Sequence, residues 1–240
     1  MFVTSEMIKI DDPDVVQNEG FAKLEDSGII LRSNGLFSFS SPFAKRYLFN
    51  VISPSRSANE PSGVVDLVIR AVSRMSASLL IRSIVPDSED FPKEAVFQQL
   101  LISGLAAETP PYVCICPELG RRFPSASDST SSRIAGEIDF YVDGDIRWGI
   151  ELLVGGDRIS EHLARCGPGG KYAALNMLDY AVVDFRRGGQ SVISKLKLDE
   201  KRMTVVFPPD DFSSCTVVVG MIIDADGKRA KDVFSLSLQP

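Results

Sequence analysis

The segment GEIDFYVDGDIRWGIELLV, residues 136–154, decides the fold, because it places two strand patterns around one turn. In its first half Ile138, Phe140 and Val142 alternate with polar residues, as in a strand that buries one face. Asp143-Gly144-Asp145 is typical of a turn. The second half continues the alternation with Ile146, Trp148, Ile150, Leu152 and Val154. The segment therefore predicts a β-hairpin with its even-numbered side chains on the core face.

The spacing also predicts how the two strands pair. Both apolar sets share one face only if even-numbered residues lie opposite even-numbered residues, since a slip of one residue turns a whole set outward. A three-residue loop at 143–145 satisfies this condition and pairs Val142 with Ile146. In that register Glu137 faces Glu151, with Asp139 next to them on the same face.

Three carboxylates on one strand face repel one another by about 1 kcal/mol or more per pair. A divalent cation would compensate them, because Mg²⁺ is held by one or two carboxylates with water and substrate phosphate. The alternative is a solvated hairpin face that Arg147 partly neutralises. Glu94, three residues before Phe97 on the apolar stripe of a predicted helix, is a further acid that could reach the same site.

The order of elements indicates an α/β fold. The helix with Glu94 precedes strands at 112–116, 134–142 and 146–154, which are followed by a helix at 158–166 and a strand at 179–185. We expect a mixed sheet flanked by helices. Three further segments are predicted outside this order: one long helix at 64–80, and strands at 203–207 and 215–223 that complete the chain.

Residues 1–60 differ in sequence pattern from the rest of the chain, and this pattern predicts a small helix–hairpin module of winged-helix type. Its hairpin spans residues 31–43 with the turn at Asn34-Gly35, and a short helix follows at 44–51. A linker-like stretch at 59–63 then separates this segment from a domain at 61–240.

Composition limits the remaining possibilities. The 240 residues are 44% hydrophobic and 24% charged, as in an ordinary α/β domain. No apolar stretch is long enough for a membrane helix, and the first residues do not resemble a secretory leader, so we expect no membrane association. The net charge of −6 argues modestly against a tight non-specific nucleic-acid binder. The four cysteines lack zinc-site spacing and are expected to be thiols.

Several phrases together resemble a known family. Glu94 on a helix, followed by Gly-Glu-Ile-Asp139-Phe-Tyr and Ile-Glu151-Leu-Leu on neighbouring strands, resembles the PD-(D/E)xK signature of restriction-endonuclease-like nucleases, whose core has the order αβββαβ. With FSSPFAKRY at 39–47 and GKY at 170–172, these phrases resemble the C-terminal domains of Crinkler-type effectors of fungi and oomycetes. The resemblance covers roughly residues 25–190.

The resemblance implies a metal-dependent nuclease, with DNA favoured over RNA as the substrate. Asp139 and Glu151 would be ligands of Mg²⁺ or Mn²⁺, and Glu94 would bind or orient a metal-bound water. The family also implies delivery into a host cell, action in its nucleus, contact with host proteins, and an upstream or separate P-loop ATPase module. This chain has no P-loop of its own, because Gly-Pro-Gly-Gly-Lys171 lacks the spacing and the hydroxyl.

The sequence departs from the family at one position: Leu153 occupies the place of the lysine expected two residues after Glu151. Lys171 is the candidate replacement, and the accessory candidates are Gln98, His162 and Glu137. The departure keeps a second hypothesis open, namely a catalytically degenerate fold that binds a protein or a nucleic acid.

Overall fold

The computed structural model describes residues 8–9, 19–33, 36–39, 60–84, 91–110, 113–119, 137–156, 158–222 and 229–240. The chain divides into two compact units, Met1–Ser55 and Arg56–Pro240. Within the described ranges, no helix combines the length and the apolar character needed to cross a membrane. All four cysteines are present as thiols, as expected.

The first unit contains a small antiparallel sheet and one helix. Its elements are β1 (Ile8–Lys9), α1 (Glu19–Asp26), β2 (Ile30–Ser33) and β3 (Leu36–Phe39), and the sheet order is β1-β3-β2. Strands β2 and β3 pair antiparallel, with Ser33 opposite Leu36, so the predicted hairpin is confirmed, whereas its turn at Asn34-Gly35 lies outside the described residues. Phe21, Ile30 and Phe37 form the core. The helix predicted at 44–51 lies outside the described residues.

The second unit is a mixed α/β structure around a seven-stranded sheet in the order β10-β9-β8-β7-β6-β5-β4. The β6–β7 and β7–β8 pairs are parallel, and the other neighbouring pairs are antiparallel. The strands are β4 (Ile115–Leu119), β5 (Ile138–Val142), β6 (Trp148–Val154), β7 (Asp179–Arg187), β8 (Arg202–Phe207), β9 (Ser214–Ile222) and β10 (Arg229–Ser237).

The helices of this unit account for the predicted order of elements. They are α2 (Val64–Ser73), α3 (Ala77–Arg82), α4 (Glu94–Glu108), α5 (Ile159–Cys166) and α6 (Gln190–Ser194), with a 3-10 turn at Ala173–Leu175. The series α4-β4-β5-β6-α5-β7 is the helix, three strands, helix, strand that the sequence predicts. The sequence analysis missed α6 and β10, since it ended the sheet with the strand at 215–223.

The single helix predicted at 64–80 is wrong, because the chain breaks into α2 and α3. Ser76 caps α3 by accepting a hydrogen bond from the backbone of Leu79 at 3.3 Å. At the break the chain pairs with its own C-terminal residues: Ala77 N donates to Gln239 O at 2.8 Å, and Gln239 N donates to Met75 O at 3.0 Å. A continuous helix would leave no room for this pairing.

The β5–β6 hairpin confirms the predicted faces but not the predicted register. Val142 pairs with Trp148 and Phe140 pairs with Ile150, so even-numbered residues do lie opposite one another. The pairing of Val142 with Ile146 is wrong by two residues, because the loop extends to Arg147. Arg147 takes a left-handed φ of 41°, and its carbonyl accepts a hydrogen bond from Leu178 ahead of β7.

The core between α4 and the sheet is rich in phenylalanine. Phe97 of α4 stacks on Phe185 of β7 with ring centroids 4.3 Å apart. Helix α4 also packs closely against α2, where a Cβ on Gly104 would lie 2.3 Å from the carbonyl oxygen of Ala71. This close approach requires glycine and fixes α4, which carries Glu94 and Gln98, over the sheet.

We predict that Gly104→Ala destabilises the protein by about 1–3 kcal/mol, because backbone atoms of α2 must move to admit the methyl group. The helix propensity of alanine, worth about 1 kcal/mol over glycine, opposes this loss. Urea unfolding measures the effect, and Ser103→Ala, at the exposed neighbouring position of the same helix, is the control. Increased stability of Gly104→Ala would contradict the packing described for α2 and α4.

Candidate functional site

Asp139 lies in β5 and is held by two hydrogen bonds from neighbouring elements. The backbone N–H of Leu152 in β6 donates to Asp139 Oδ2 at 2.7 Å. The side-chain Nε2 of Gln98 in α4 donates to Asp139 Oδ1 at 2.9 Å. Both carboxyl oxygens are therefore engaged, one by the sheet and one by the helix that precedes it.

Glu151 is the most deeply buried of the predicted site residues, with 2% of its surface exposed. The register of the three β5–β6 pairs, which end at Phe140 and Ile150, does not place Glu137 opposite Glu151 as predicted. The charge of Glu151 acts instead on Asp139. Glu151 Oε2 lies 2.7 Å from Nδ1 of His162. Glu151 Oε1 is buried and has no hydrogen-bond partner among the described residues.

Glu94 begins α4 at the exposed rim of this cluster. Nε2 of Gln98, one helical turn later, is 3.5 Å from Glu94 Oε1, a distance at the limit for a hydrogen bond. The same nitrogen binds Asp139, so Gln98 bridges the helix-borne carboxylate and the strand-borne one. The pattern of Glu94 and Gln98 four residues apart is what placed both on one helical face in the sequence.

The three carboxylates share one electrostatic environment. Burial, and then the charge of Glu151, raise the pKa of Asp139 to about 8, although the hydrogen bonds from Leu152 and Gln98 oppose this shift. Burial also raises the pKa of Glu94, where the charge of Glu151 adds to the effect and His162 and Arg158 oppose it. The charge of Glu151 therefore disfavours ionisation of both Asp139 and Glu94.

Helix α5 covers the carboxylate cluster and places the side chains of His162 and Cys166 against it. His162 faces inward, as does Cys166 one turn later. Burial and the nearby charges of Glu151 and Asp139 raise the pKa of the Cys166 thiol to about 12, so this cysteine is a poor nucleophile. Arg158, which precedes the first turn of α5, is exposed and acts electrostatically on Glu94.

The sequence analysis did not single out Arg158, although the two glycines shortly before it indicate a tight turn after β6. Gly155 and Gly156 follow β6 directly and both have left-handed backbones, with φ of 79° and 75°. This double-glycine turn leads to Arg158, whose own φ of 56° is left-handed. A Cβ on Gly156 would collide with the guanidinium of Arg186, so the turn lies tightly against β7.

The β5–β6 register displaces Glu137 from the position opposite Glu151 that the sequence predicted. Glu137 precedes β5, and its backbone carbonyl accepts a hydrogen bond from the hydroxyl of Tyr172 at 2.8 Å. Lys171 is exposed. The hydroxyl of the neighbouring Tyr172 lies near Glu151, and its pKa is raised by burial, then by hydrogen bonding with Glu151, and then by the charge of Glu151. Its one proton is donated to the carbonyl of Glu137, so this hydroxyl does not also donate to Glu151. Leu153, in the expected lysine position, is buried with 3% exposure.

A second buried acid lies on the same sheet face and has its own partners. Asp184 pairs with Leu153 in the parallel register and is fully buried. Its Oδ2 accepts hydrogen bonds from Arg186 at 2.7 Å and Arg202 at 3.0 Å. We assign this group to the support of β7 and β8, since two guanidinium groups balance its charge, although its Oδ1, like Oε1 of Glu151, is buried without a hydrogen-bond partner among the described residues.

Within the described ranges, no group of three or more His, Cys, Asp or Glu side chains is arranged to hold a metal ion. Mg²⁺ needs fewer protein ligands, because water and substrate phosphate complete its shell. Asp139 and Glu151 supply hard oxygen ligands, and the buried Oε1 of Glu151 lacks a partner. These two carboxylates are therefore compatible with a divalent cation held from one side.

Comparison of the chain with protein-family models, with curated proteins and with solved structures gives no significant match. The site must therefore be interpreted from its own chemistry.

We predict that, without metal, the protein loses stability as pH rises from about 4 to 8. The Asp139 carboxyl has a pKa near 3.9 when unfolded and about 8 when folded, so the folded state holds the extra proton across this range. Asp139→Asn is neutral at every pH and should raise the free energy of unfolding at pH 8 by about 1–3 kcal/mol, with no gain near pH 4.

Urea unfolding in a chelator measures this difference, and Asp145→Asn in the exposed hairpin loop is the control. A difference between Asp139→Asn and the parent chain that stays constant from pH 4 to 8 would show that Asp139 is not the group responsible.

Proposed function

We propose that this chain is a metal-dependent phosphodiesterase that hydrolyses nucleic acid, with DNA favoured over RNA, on a restriction-endonuclease-like core. The observation that carries the proposal is the closeness of the half-buried Asp139 in β5 to the buried Glu151 in β6, whose charge raises the pKa of Asp139. Burying two acids side by side is costly unless a positive charge joins them. His162 reaches only one oxygen of Glu151, so a place for a cation remains.

The roles follow from the positions of the side chains. Asp139 and Glu151 would hold Mg²⁺ or Mn²⁺, which when bound lowers the pKa of a water and stabilises charge on the phosphate. Glu94, at the exposed rim and bridged to Asp139 through Gln98, is placed to accept a hydrogen bond from that water. The element order α4-β4-β5-β6-α5-β7 supports the αβββαβ core.

Arg158 supplies the positive charge that Leu153 does not. Its guanidinium is exposed near Glu94, at the end of β6 where a phosphate would approach the carboxylates. A guanidinium binds phosphate through two parallel hydrogen bonds and keeps its charge at any physiological pH. We therefore assign to Arg158 the contact with the substrate phosphate that the sequence analysis gave to Lys171.

The likeness to Crinkler-type effectors supports a wider setting for this activity. In that setting the protein acts inside a host cell, in the nucleus, together with host proteins and an upstream or separate P-loop ATPase module. These statements rest on the sequence phrases alone, so they depend on the resemblance and not on the geometry of the carboxylate cluster.

A second function is favoured by one observation, the burial of Leu153 where a catalytic ammonium is expected. A chain without that cation would be a degenerate nuclease fold that binds a nucleic acid or a protein. The two functions differ in one result: the enzyme cleaves its substrate with Mg²⁺ or Mn²⁺, whereas the binding module retains it intact.

We expect the purified chain to cleave plasmid DNA with Mg²⁺ or Mn²⁺, and to do so faster than it cleaves single-stranded RNA. Asp139→Asn and Glu151→Gln should each reduce cleavage to background, because each removes a ligand charge while keeping the shape of the side chain. Gel electrophoresis of the products is the measurement, with Asp145→Asn as the control. Full cleavage by both substituted proteins would refute the assignment, and binding without cleavage by the parent chain would favour the degenerate fold.

Arg158→Gly should reduce cleavage by about 10-fold or more, because it removes a charge at the developing phosphorane. Glycine accepts the left-handed φ of this position, so the fold should survive the change. The slope of the logarithm of the DNA-binding constant against log salt should fall in magnitude by about 1. Lys171→Ala removes the same charge from an exposed turn and is the matched comparison. A larger loss for Lys171→Ala than for Arg158→Gly would reverse this assignment.

A further inference from the structure

The contact between His162 and Glu151 is enclosed between α5 and the sheet. Nδ1 of His162 and Oε2 of Glu151 are 2.7 Å apart, and the two side chains are 12% and 3% exposed. Because Cys166, one turn after His162 on α5, is also buried, this face of the helix is fixed against the sheet. The imidazole therefore has little freedom to turn away from Glu151.

The chemistry of the two groups decides which atom carries the proton. When Glu151 is ionised, its carboxylate only accepts hydrogen bonds, so Nδ1 carries the proton in this contact whether the ring is neutral or charged. This bond uses Oε2 and leaves Oε1 without a partner. The two oxygens of one carboxylate are thereby given different roles.

We propose that His162 is a positioning residue that holds Glu151 by Oε2, so that Oε1 is kept for a divalent cation. The inference rests on the proposed function, because it concerns the same cation. Side chains that hydrogen-bond a ligating carboxylate fix its orientation, and their loss weakens metal binding by about 10- to 100-fold. Without His162, rotation of Glu151 about its terminal bond would present either oxygen, and the ready-made geometry would be lost.

A pair of amide substitutions tests this role with matched chemistry. In asparagine the amide nitrogen is separated from the backbone by the same number of bonds as Nδ1 of histidine, whereas in glutamine it lies one bond farther, as Nε2 does. We expect His162→Asn to keep Mn²⁺ affinity within about 3-fold of the parent chain, and His162→Ala and His162→Gln to weaken it by about 10- to 100-fold. Isothermal titration calorimetry with Mn²⁺ alone measures the affinities.

The controls separate positioning from folding. Ser160→Ala, on the exposed side of α5, should bind Mn²⁺ as the parent chain does, and thermal unfolding should show every variant folded at the titration temperature. Equal affinities for the alanine variant and the parent chain would overturn this inference alone. Absence of Mn²⁺ binding by the parent chain would overturn the inference and the proposed function together.

A second readout needs no metal. The chain has 1 histidine, His162, so both imidazole ¹⁵N signals belong to this residue. Couplings of the two nitrogens to the ring protons Hδ2 and Hε1 distinguish Nδ1 from Nε2. In a chelator, at a pH where the ring is neutral, we expect the proton on Nδ1, and we expect Glu151→Gln to weaken this preference. Spectra that place the proton on Nε2 would overturn the inference, because Nδ1 could not then donate to Glu151.

Discussion

The structure of this site depends on one constraint, the closeness of two carboxylates on adjacent antiparallel strands. Glu151 is buried and Asp139 is half-buried, and the charge of Glu151 adds to the loss of hydration that raises the pKa of Asp139. A fold tolerates such a pair only if hydrogen bonds or cations balance it. Leu152, Gln98 and His162 provide part of that balance, and one oxygen of Glu151 is left over.

The helices of the fold position the side chains that contact these two carboxylates. The tight contact at Gly104 sets α4, and with it Gln98, over the start of β5. The double-glycine turn after β6 reverses the chain so that α5 returns His162 to the strand that it has just left. Two helices on different parts of the chain therefore reach the same pair of strands. A cation would be held by the sheet and oriented by the helices.

The alternation of apolar and polar residues predicted the faces of β5 and β6 correctly, whereas the assumed length of the loop between them was wrong. The parity of the apolar residues placed Asp139 and Glu151 on one face, because a slip of one residue would have exposed a whole apolar set. The same parity permits registers that differ by two, and the left-handed Arg147 extends the loop beyond the predicted length. Glu137 was therefore paired with Glu151 in place of Asp139. The break between α2 and α3 depends on pairing with residues 239–240. The sequence around the break could not predict it, because no local pattern indicates which distant residues will pair there.

The most direct test of the account is anomalous X-ray diffraction from crystals of the protein grown with MnCl₂, because manganese can be located without assuming its ligands. The account predicts one strong peak in coordination contact with Asp139 and with Oε1 of Glu151, on the side of the pair that faces Glu94. A peak coordinated only elsewhere, or Asp139 and Glu151 turned away from each other with no peak between them, would contradict the central claim.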